Sequence, residues 1–124
     1  MEGYRKLLVW QRAMQFVPIV YRVARQLPVE ERYALSDQLR RAAVSIPANI
    51  AEGQARQHRR EFIQALSIAR GSLAEVDTLL RVAVSLGYAT EADIQPALML
   101  GLSVRQLLQR LLHHLRTAPR EVTQ

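Results

Sequence analysis

The sequence lacks cysteine, contains a single lysine and is poor in aromatic residues, which make up 6% of the chain. The absence of cysteine excludes disulfide bonds, catalytic thiolates and metal sites built on cysteine. The longest largely apolar stretch, residues 96–104, is much shorter than the roughly 18 residues that span a bilayer. Residues 1–6 are polar and do not have the pattern of a secretory signal. We therefore expect a cytoplasmic protein that does not enter a membrane.

Arginine is the residue that the sequence has in excess. Sixteen of the 17 basic residues are arginines, against 11 acidic residues, and the net charge is +6. Residues 1–60 hold the surplus of positive charge. Guanidinium groups suit phosphate and carboxylate partners, while a GC-rich genome that favours arginine codons is the alternative explanation. With 124 residues, 49% of them hydrophobic, the chain is long enough for one domain with its own core.

Apolar residues recur with the period of an α-helix along nearly the whole chain. Between residues 58 and 87 they are spaced alternately by four and three positions, which places them on one side of a helix. Similar spacing predicts helices over about residues 7–26, 29–55 and 90–118. The predicted core-facing residues are, helix by helix, Leu7, Trp10, Met14, Val17, Tyr21 and Ala24; Leu35, Leu39, Ala42, Ile46, Asn49 and Gly53; Phe62, Leu66, Ala69, Leu73, Val76, Leu80 and Ala83; and Ile94, Leu98, Gly101, Leu108, Leu112 and Leu115.

Helix-breaking and capping residues divide these segments. Pro18 and Pro47 each remove a backbone donor inside a helix, so we expect a kink at each. Residues 53–57 are predicted to form the turn between the second and third helices, and Gly87 is predicted to end the third. Residues 90–93, Thr-Glu-Ala-Asp, resemble a capping box at the start of the fourth helix.

These elements define the predicted fold. No strand pattern competes with the helical one, and the connections are short. The chain is therefore predicted to be all-α, an antiparallel up-and-down four-helix bundle kinked at Pro18 and Pro47. We expect residues 1–118 to form this single domain and residues 119–124 to form a loose tail.

The polar residues do not match a catalytic or metal-binding constellation. The sequence contains no glycine-rich phosphate loop, no Gly-x-Ser-x-Gly motif and no glutamate followed three residues later by histidine. His113 and His114 are adjacent and so point in different directions from a helix, which argues against a metal site. His58 is expected in a loop or at a helix start. We therefore expect no enzymatic activity, no cofactor and no bound metal.

A polar motif lies on the second helix, near Pro47. An unpaired amide on the apolar seam would cost roughly 1–3 kcal/mol, so Asn49 is expected to form hydrogen bonds that fix the helix register, with direct ligand contact as the alternative. We also expect ion pairs between Glu75 and Arg40 or Arg41, and between Glu52 and nearby arginines, across a hairpin of the second and third helices or between subunits. The whole polar set is Arg40, Arg41, Asn49, Glu52, Arg70 and Glu75.

Two clusters of basic residues are candidates for contact with nucleic acid. The first contains Arg5, Lys6 and Arg12, and the second contains Arg56, His58, Arg59 and Arg60. Both could bind phosphates without reading sequence. A solvated surface without a binding role is the alternative, and the scattered aromatic residues do not support recognition of bases.

The fourth helix has a second apolar seam beside the one that faces the core. It consists of Leu100, Val104, Leu107 and Leu111. Surplus apolar surface costs roughly 25 cal/mol per Å² in water, and a cyclic oligomer would cover it. We therefore predict an oligomer interface at this seam. The alternative is that the helix sits deeper in its own bundle.

Four segments resemble the four-helix-bundle proteins encoded in intervening sequences of 23S rRNA genes. They are Leu-Val-Trp-Gln-Arg-Ala-Met at residues 8–14, Pro-Val-Glu-Glu-Arg-Tyr-Ala-Leu at residues 28–35, residues 38–53, and Ala-Arg-Gly-Ser-Leu-Ala-Glu at residues 69–75. The resemblance extends over most of the chain. Residues 38–53 carry its most specific pattern, because Arg-Arg-Ala, a proline, an asparagine and a final Glu-Gly occur there at fixed spacing.

The resemblance implies an up-and-down bundle that assembles as a ring-shaped homopentamer. It also implies kinship with the accessory variability protein of diversity-generating retroelements, a basic pentamer that binds nucleic acid and a reverse transcriptase. Pro18 departs from the family pattern. We expect a non-enzymatic homo-oligomer, pentameric by preference, that binds RNA or DNA through arginines and could have a reverse-transcriptase partner. The alternative is a protein-interaction scaffold that binds no nucleic acid.

Overall fold

The structure is a computed structural model that describes residues 3–119. It contains four long helices, α1 (Leu8–Gln26), α2 (Leu35–Ala55), α3 (Arg59–Ser85) and α4 (Glu91–Thr117). Short 3₁₀ turns, Gly3–Lys6 and Val29–Glu31, precede α1 and α2. Each helix packs against the next, and α4 returns to pack against α1. The described part of the chain has no strand, so the predicted all-α four-helix bundle is confirmed.

The core contains apolar side chains from all four helices. Phe16, Ile46, Leu66 and Leu108 are among the largest side chains that are fully buried. The seam predicted for α3 is confirmed, since six of its seven residues are buried and Phe62 is half-buried. The α2 seam is buried except at Asn49, which is half-buried. Helical period therefore identified the buried faces of these two helices.

The seam predicted for α1 is wrong by about one position. Met14 is 46% exposed, and Leu7, Trp10, Val17 and Tyr21 are only half-buried. The buried face is instead formed by Val9, Ala13, Phe16, Val20, Val23, Ala24 and Leu27. Two adjacent stripes of α1 are apolar, and helical period alone does not say which one faces the other three helices.

Most of the predicted helix ends and caps are found where expected. Gly87 has a φ of 78°, and its N–H and that of Tyr88 donate to carbonyls of α3 in the pattern that closes a helix with glycine. The Thr90–Asp93 capping box is present, with both hydrogen bonds formed. Helices α1 and α2 continue through Pro18 and Pro47, and a bend at each stays a prediction. The predicted tail, residues 119–124, lies outside the described residues except for Pro119.

The α2 helix begins later than predicted, at Leu35 instead of residue 29. The carboxylate of Glu31 accepts hydrogen bonds from the backbone N–H of Leu35, at 3.3 Å, and from the hydroxyl of Tyr88, at 3.0 Å. This bond to Glu31, followed by desolvation, raises the pKa of Tyr88 above its ordinary value. Glu31 thus ties the α1–α2 connection to the α3–α4 connection at one end of the bundle.

None of the helices in the described part of the chain combines the length and the apolar character that crossing a membrane requires.

Candidate nucleic-acid interface

The antiparallel fold brings the two predicted basic clusters, except Arg12, to the same end of the bundle. At this end α1 and α3 begin and α2 and α4 end. Gly3 lies beside the side chain of Gln54, and Arg59 donates a 3.0 Å hydrogen bond to the carbonyl of Ala118. We call this region the cationic end. It carries Arg5, Lys6, Arg56, Arg59, Arg60 and Arg116.

Two of the predicted phosphate contacts have partners inside the protein. Arg12 lies farther along α1, where it donates a 3.0 Å hydrogen bond to Ser103 Oγ and joins α1 to α4. Arg59 donates to the carbonyls of Ala118 and Pro119, and so holds the last turn of α4. Their guanidinium groups are therefore committed to the packing of the bundle.

The remaining basic side chains of the clusters face solvent. Arg60 and Lys6 are exposed, as is Arg5. Arg56 pairs with Glu52 at 3.5 Å, but both side chains are more than half exposed. Solvent-exposed pairs of this kind contribute little to stability, so the Arg56 guanidinium can exchange Glu52 for a phosphate at small cost.

The ends of the helices reinforce the charge of these side chains. Both helices that begin at the cationic end, α1 after Leu7 and α3 after His58, have no side-chain cap. At the other end, Glu31 accepts from the first N–H of α2 and Asp93 completes the capping box of α4. Helix N-termini carry partial positive charge and attract anions. Carboxylates cap both helices that begin at the far end, whereas among the described residues of the cationic end only Glu61, in α3, lies in the first turn of a long helix.

Carboxylates are concentrated away from the cationic end. Glu52 and Glu61 are the acidic residues nearest to it among those described. The opposite end carries Glu30, Glu31, Asp37, Glu91 and Asp93. Charge is therefore distributed unevenly along the long axis of the bundle, which the number of arginines alone does not reveal.

All three histidines lie at the cationic end. His58, His113 and His114 are exposed there, at the start of α3 and the end of α4. Within residues 3–119 no three His, Asp or Glu side chains are grouped so that they could hold a metal ion. Sequence reasoning did not assign Arg116 to this surface. The signal was available in principle, because an even number of antiparallel helices returns the end of α4 to the start of α1.

Asn49 forms the hydrogen bonds that its position on the seam required. Its amide donates to the carbonyl of Ser45, at 2.8 Å, and to Ser45 Oγ, at 2.9 Å. Ser45 Oγ in turn lies 2.9 Å from Ser72 Oγ on α3. This chain of polar groups fixes the register of α2 against α3. The part played by Ser72 was not predicted, because it depends on which residues of the two helices face each other.

Within the described residues of the single chain, Glu75 forms no ion pair with Arg40 or Arg41. Arg41 pairs instead with Asp37, one turn away on its own helix, at 2.9 Å, and Arg40 donates to the backbone carbonyl of Arg32. Glu52 does pair with an arginine, Arg56, on its own helix. Pairing between subunits stays a prediction. Within the described residues, Glu75 and Arg70 are exposed and have no ion-pair partner. A carboxylate at i−4 on the same helix is always within reach, whereas a partner on another helix depends on register.

The second apolar seam of α4 is only partly available to another molecule. Val104 is fully buried in the chain's own core, so its assignment to an oligomer interface is wrong. Leu100, Leu107 and Leu111 are half-buried and pack against that core. The exposed large hydrophobic residues of α4 are Met99, at 70%, and Leu102, at 44%.

Fold and electrostatics together define a four-helix-bundle protein with one cationic end. The model of the 23S rRNA-intervening sequence protein family matches residues 5–110, so the chain belongs to that family. A crystal structure at 1.70 Å of a protein of unknown function, from the S23 ribosomal protein family of Bacteroides thetaiotaomicron, has the same fold with a TM-score of 0.78. It is 24% identical, and the match covers 86% of this chain and 96% of that one. No curated protein matches the chain.

Proposed function

We propose that this protein is a non-enzymatic homo-oligomer that binds RNA or DNA in the cytoplasm through phosphate contacts at its cationic end. The observation that supports the proposal most directly is the convergence of both basic clusters on one end of the bundle, where the helix N-termini are uncapped. Arginine forks bind phosphate oxygens in pairs. Contacts of this kind give affinity without sequence specificity.

Assembly into an oligomer is supported by the apolar surface that the single chain leaves uncovered. Met99 and Leu102 are exposed on α4, and Leu107 and Leu111 on other sides of the same helix are half-buried. A pentamer is the number that the family resemblance implies. In a ring with parallel bundle axes, the cationic ends would lie on one rim, and several weak phosphate contacts would add up along one nucleic-acid chain.

Family kinship also motivates a more specific role, as an accessory to a reverse transcriptase. The competing function is a protein-interaction scaffold whose charge only maintains solubility. The two functions differ in one measurable property, since a scaffold would bind no nucleic acid even at low salt.

Charge reversal at the cationic end tests nucleic-acid binding. The double substitution Arg56→Glu with Arg60→Glu replaces two exposed arginines and leaves Arg59, which holds α4, in place. We expect retention of fluorescent single-stranded RNA or duplex DNA at 50 mM salt to fall by at least about tenfold. The measurement is fluorescence anisotropy with the purified full chain.

The matched control is Arg22→Glu with Arg25→Glu, which makes the same change in net charge on exposed positions of α1 away from the cationic end. This control should bind nearly as well as the wild type. Equal losses in both variants would show that only the net charge matters. No binding by the wild type at low salt would contradict the proposal and favour the scaffold.

A further inference from the structure

A groove of about 550 Å³ runs between α3 and α4. Its apolar lining includes Phe16, Leu73, Leu98 and Leu102. Gly101 lies at the bottom, where an added Cβ atom would be 3.3 Å from Cε1 of Phe16 and 3.6 Å from Cδ1 of Leu73. The absence of a side chain at position 101 therefore keeps the groove open above the Phe16 ring.

Two arginines flank one end of this groove. Arg70, on α3, and Arg105, on α4, both line it and are exposed. Because Leu73 faces Gly101 across antiparallel helices, Arg70, one turn before Leu73, and Arg105, one turn after Gly101, lie at the same level. Within the described residues neither forms an ion pair or a side-chain hydrogen bond. Two like charges on opposite walls favour an anionic group between them over a cationic one.

The other end of the groove is electrically balanced. Asp77 and Arg81 form an ion pair there, with 2.7 Å between Asp77 Oδ1 and Arg81 Nε. An occupant of the groove must therefore be apolar along its length and carry negative charge at the end that reaches Arg70 and Arg105.

One segment of the chain presents exposed side chains with these properties, apart from the residue that anchors it to the bundle. In the connection between α1 and α2, which we call the 28–34 turn, Val29 is 68% exposed and Tyr33 is 86% exposed. Glu31 is engaged with Leu35 and Tyr88. Glu30 is exposed and forms no ion pair among the described residues. The guanidinium of Arg32 lies 6.0 Å from the centre of the Tyr33 ring.

We propose that the 28–34 turn of a second copy of this chain occupies the groove between α3 and α4. Tyr33 and Val29 would cover Leu102 and the apolar lining, and Glu30 would reach Arg70 and Arg105. Tyrosine and arginine are the residues that most often dominate binding energy at interfaces. This inference rests on the homo-oligomer in the proposed function and names the two surfaces that form it.

The contact is head-to-tail, because turn and groove are different surfaces of the same chain. Such an interface leaves a free turn at one end of every pair and a free groove at the other. It closes into a ring when the rotation between neighbouring subunits returns to the start, and otherwise continues as a filament. Each subunit then uses both surfaces, and no surface is paired with its own equivalent.

A charge swap tests this pairing. We expect Glu30→Arg and Arg70→Glu each to raise the dissociation constant of the assembly at least about tenfold, seen by native mass spectrometry of the full chain at micromolar concentration. The combined variant, Glu30→Arg with Arg70→Glu, should regain at least half of the lost oligomer. Tyr33→Ser should also dissociate the assembly, and since Tyr33 is exposed, circular dichroism should show an unchanged fold.

Matched controls are Glu75→Arg and Arg22→Glu, which make the same charge changes at exposed positions outside turn and groove and should leave the oligomer intact. An oligomer that survives Glu30→Arg and Arg70→Glu would overturn this pairing while the proposed homo-oligomer stands. So would loss in both single variants without recovery in the combined one. A monomeric wild type would overturn both proposals.

Discussion

At the scale of single residues, the closest approach of two helices depends on Gly53. Gly53 was predicted both as a seam residue of the second helix and as the first residue of the following turn, and it lies within α2 and is buried. A Cβ atom added there would lie 2.5 Å from Cβ of Ala65 on α3. Helices α2 and α3 can pack this closely only because position 53 has no side chain.

Replacing glycine by alanine should therefore have opposite effects at two positions. Gly53→Ala forces α2 and α3 apart and should lower the free energy of unfolding by about 1–3 kcal/mol. Gly71→Ala adds a methyl group to open space on α3 and should raise it by about 0.5–1 kcal/mol, since alanine favours helix. Urea unfolding of both variants beside the wild type measures the difference. A neutral or stabilising Gly53→Ala would show that the helix contact is looser than the structure indicates.

Residue-scale predictions from sequence succeeded where the partner was local or where burial alone decided the outcome. Asn49 had to be hydrogen-bonded because it lies on an apolar seam, and it is. The pairing of Glu75 with Arg40 or Arg41 is not formed within the chain, because it required the relative positions of two helices. Arg41 pairs instead with Asp37, which lies four residues earlier on the same helix and could have been identified from the sequence.

At the scale of helices and turns, the connection between α1 and α2 is set by a contact distant in sequence. Glu31 caps α2 and also accepts the hydroxyl of Tyr88, which lies 57 residues later. Residues 29–35 contain two glutamates, which suit the first turn of a helix. The start of the second helix was therefore predicted too early. The true start depends on the α3–α4 connection.

The Tyr88 contact predicts a dependence of stability on alkaline pH. Because the folded protein raises the pKa of Tyr88 above its unfolded value, the contribution is complete below about pH 10 and is lost as pH rises through the folded pKa. The free energy of unfolding in urea should therefore fall less steeply above pH 10 in Tyr88→Phe than in the wild type. Tyr33→Phe, which removes an exposed hydroxyl, is the control, and identical slopes for the wild type and Tyr88→Phe would contradict the prediction.

Helical period predicted the four elements but not always their buried sides. On α3 one stripe is clearly more apolar than the others, and the seam was correct. On α1 and α4 two neighbouring stripes are apolar, so Met14 was assigned to the core and Val104 to the surface, each incorrectly. Which stripe is buried is decided by the packing angle between helices, which sequence spacing does not contain.

At the scale of the whole molecule, the uneven distribution of charge matters more than its total. A net charge of +6 is compatible with a uniformly basic surface. The fold instead separates an end with several exposed basic side chains, where α1 and α3 begin without a side-chain cap, from an end where carboxylates balance the arginines. The sequence identified most of the basic residues of the cationic end, but only the antiparallel order of the helices brings residues 5–6 beside residues 56–60.

This separation predicts how binding responds to salt. For duplex DNA, the logarithm of the association constant falls with the logarithm of salt concentration in proportion to the number of phosphates contacted. Arg56→Glu with Arg60→Glu should reduce the magnitude of that slope by about 2. The control, Arg22→Glu with Arg25→Glu, should keep the wild-type slope in anisotropy titrations between 50 and 300 mM salt. Equal slopes in all three proteins would place the phosphate contacts elsewhere.

The antiparallel order of four helices has a practical consequence for anyone who handles the protein. Three connections return the chain to its starting side, so residue 3 and residue 119 emerge together at the cationic end. An affinity tag or a fluorescent fusion at either terminus would overhang the surface that we assign to phosphate contacts. Binding assays should therefore compare tagged protein with protein from which the tag has been cleaved.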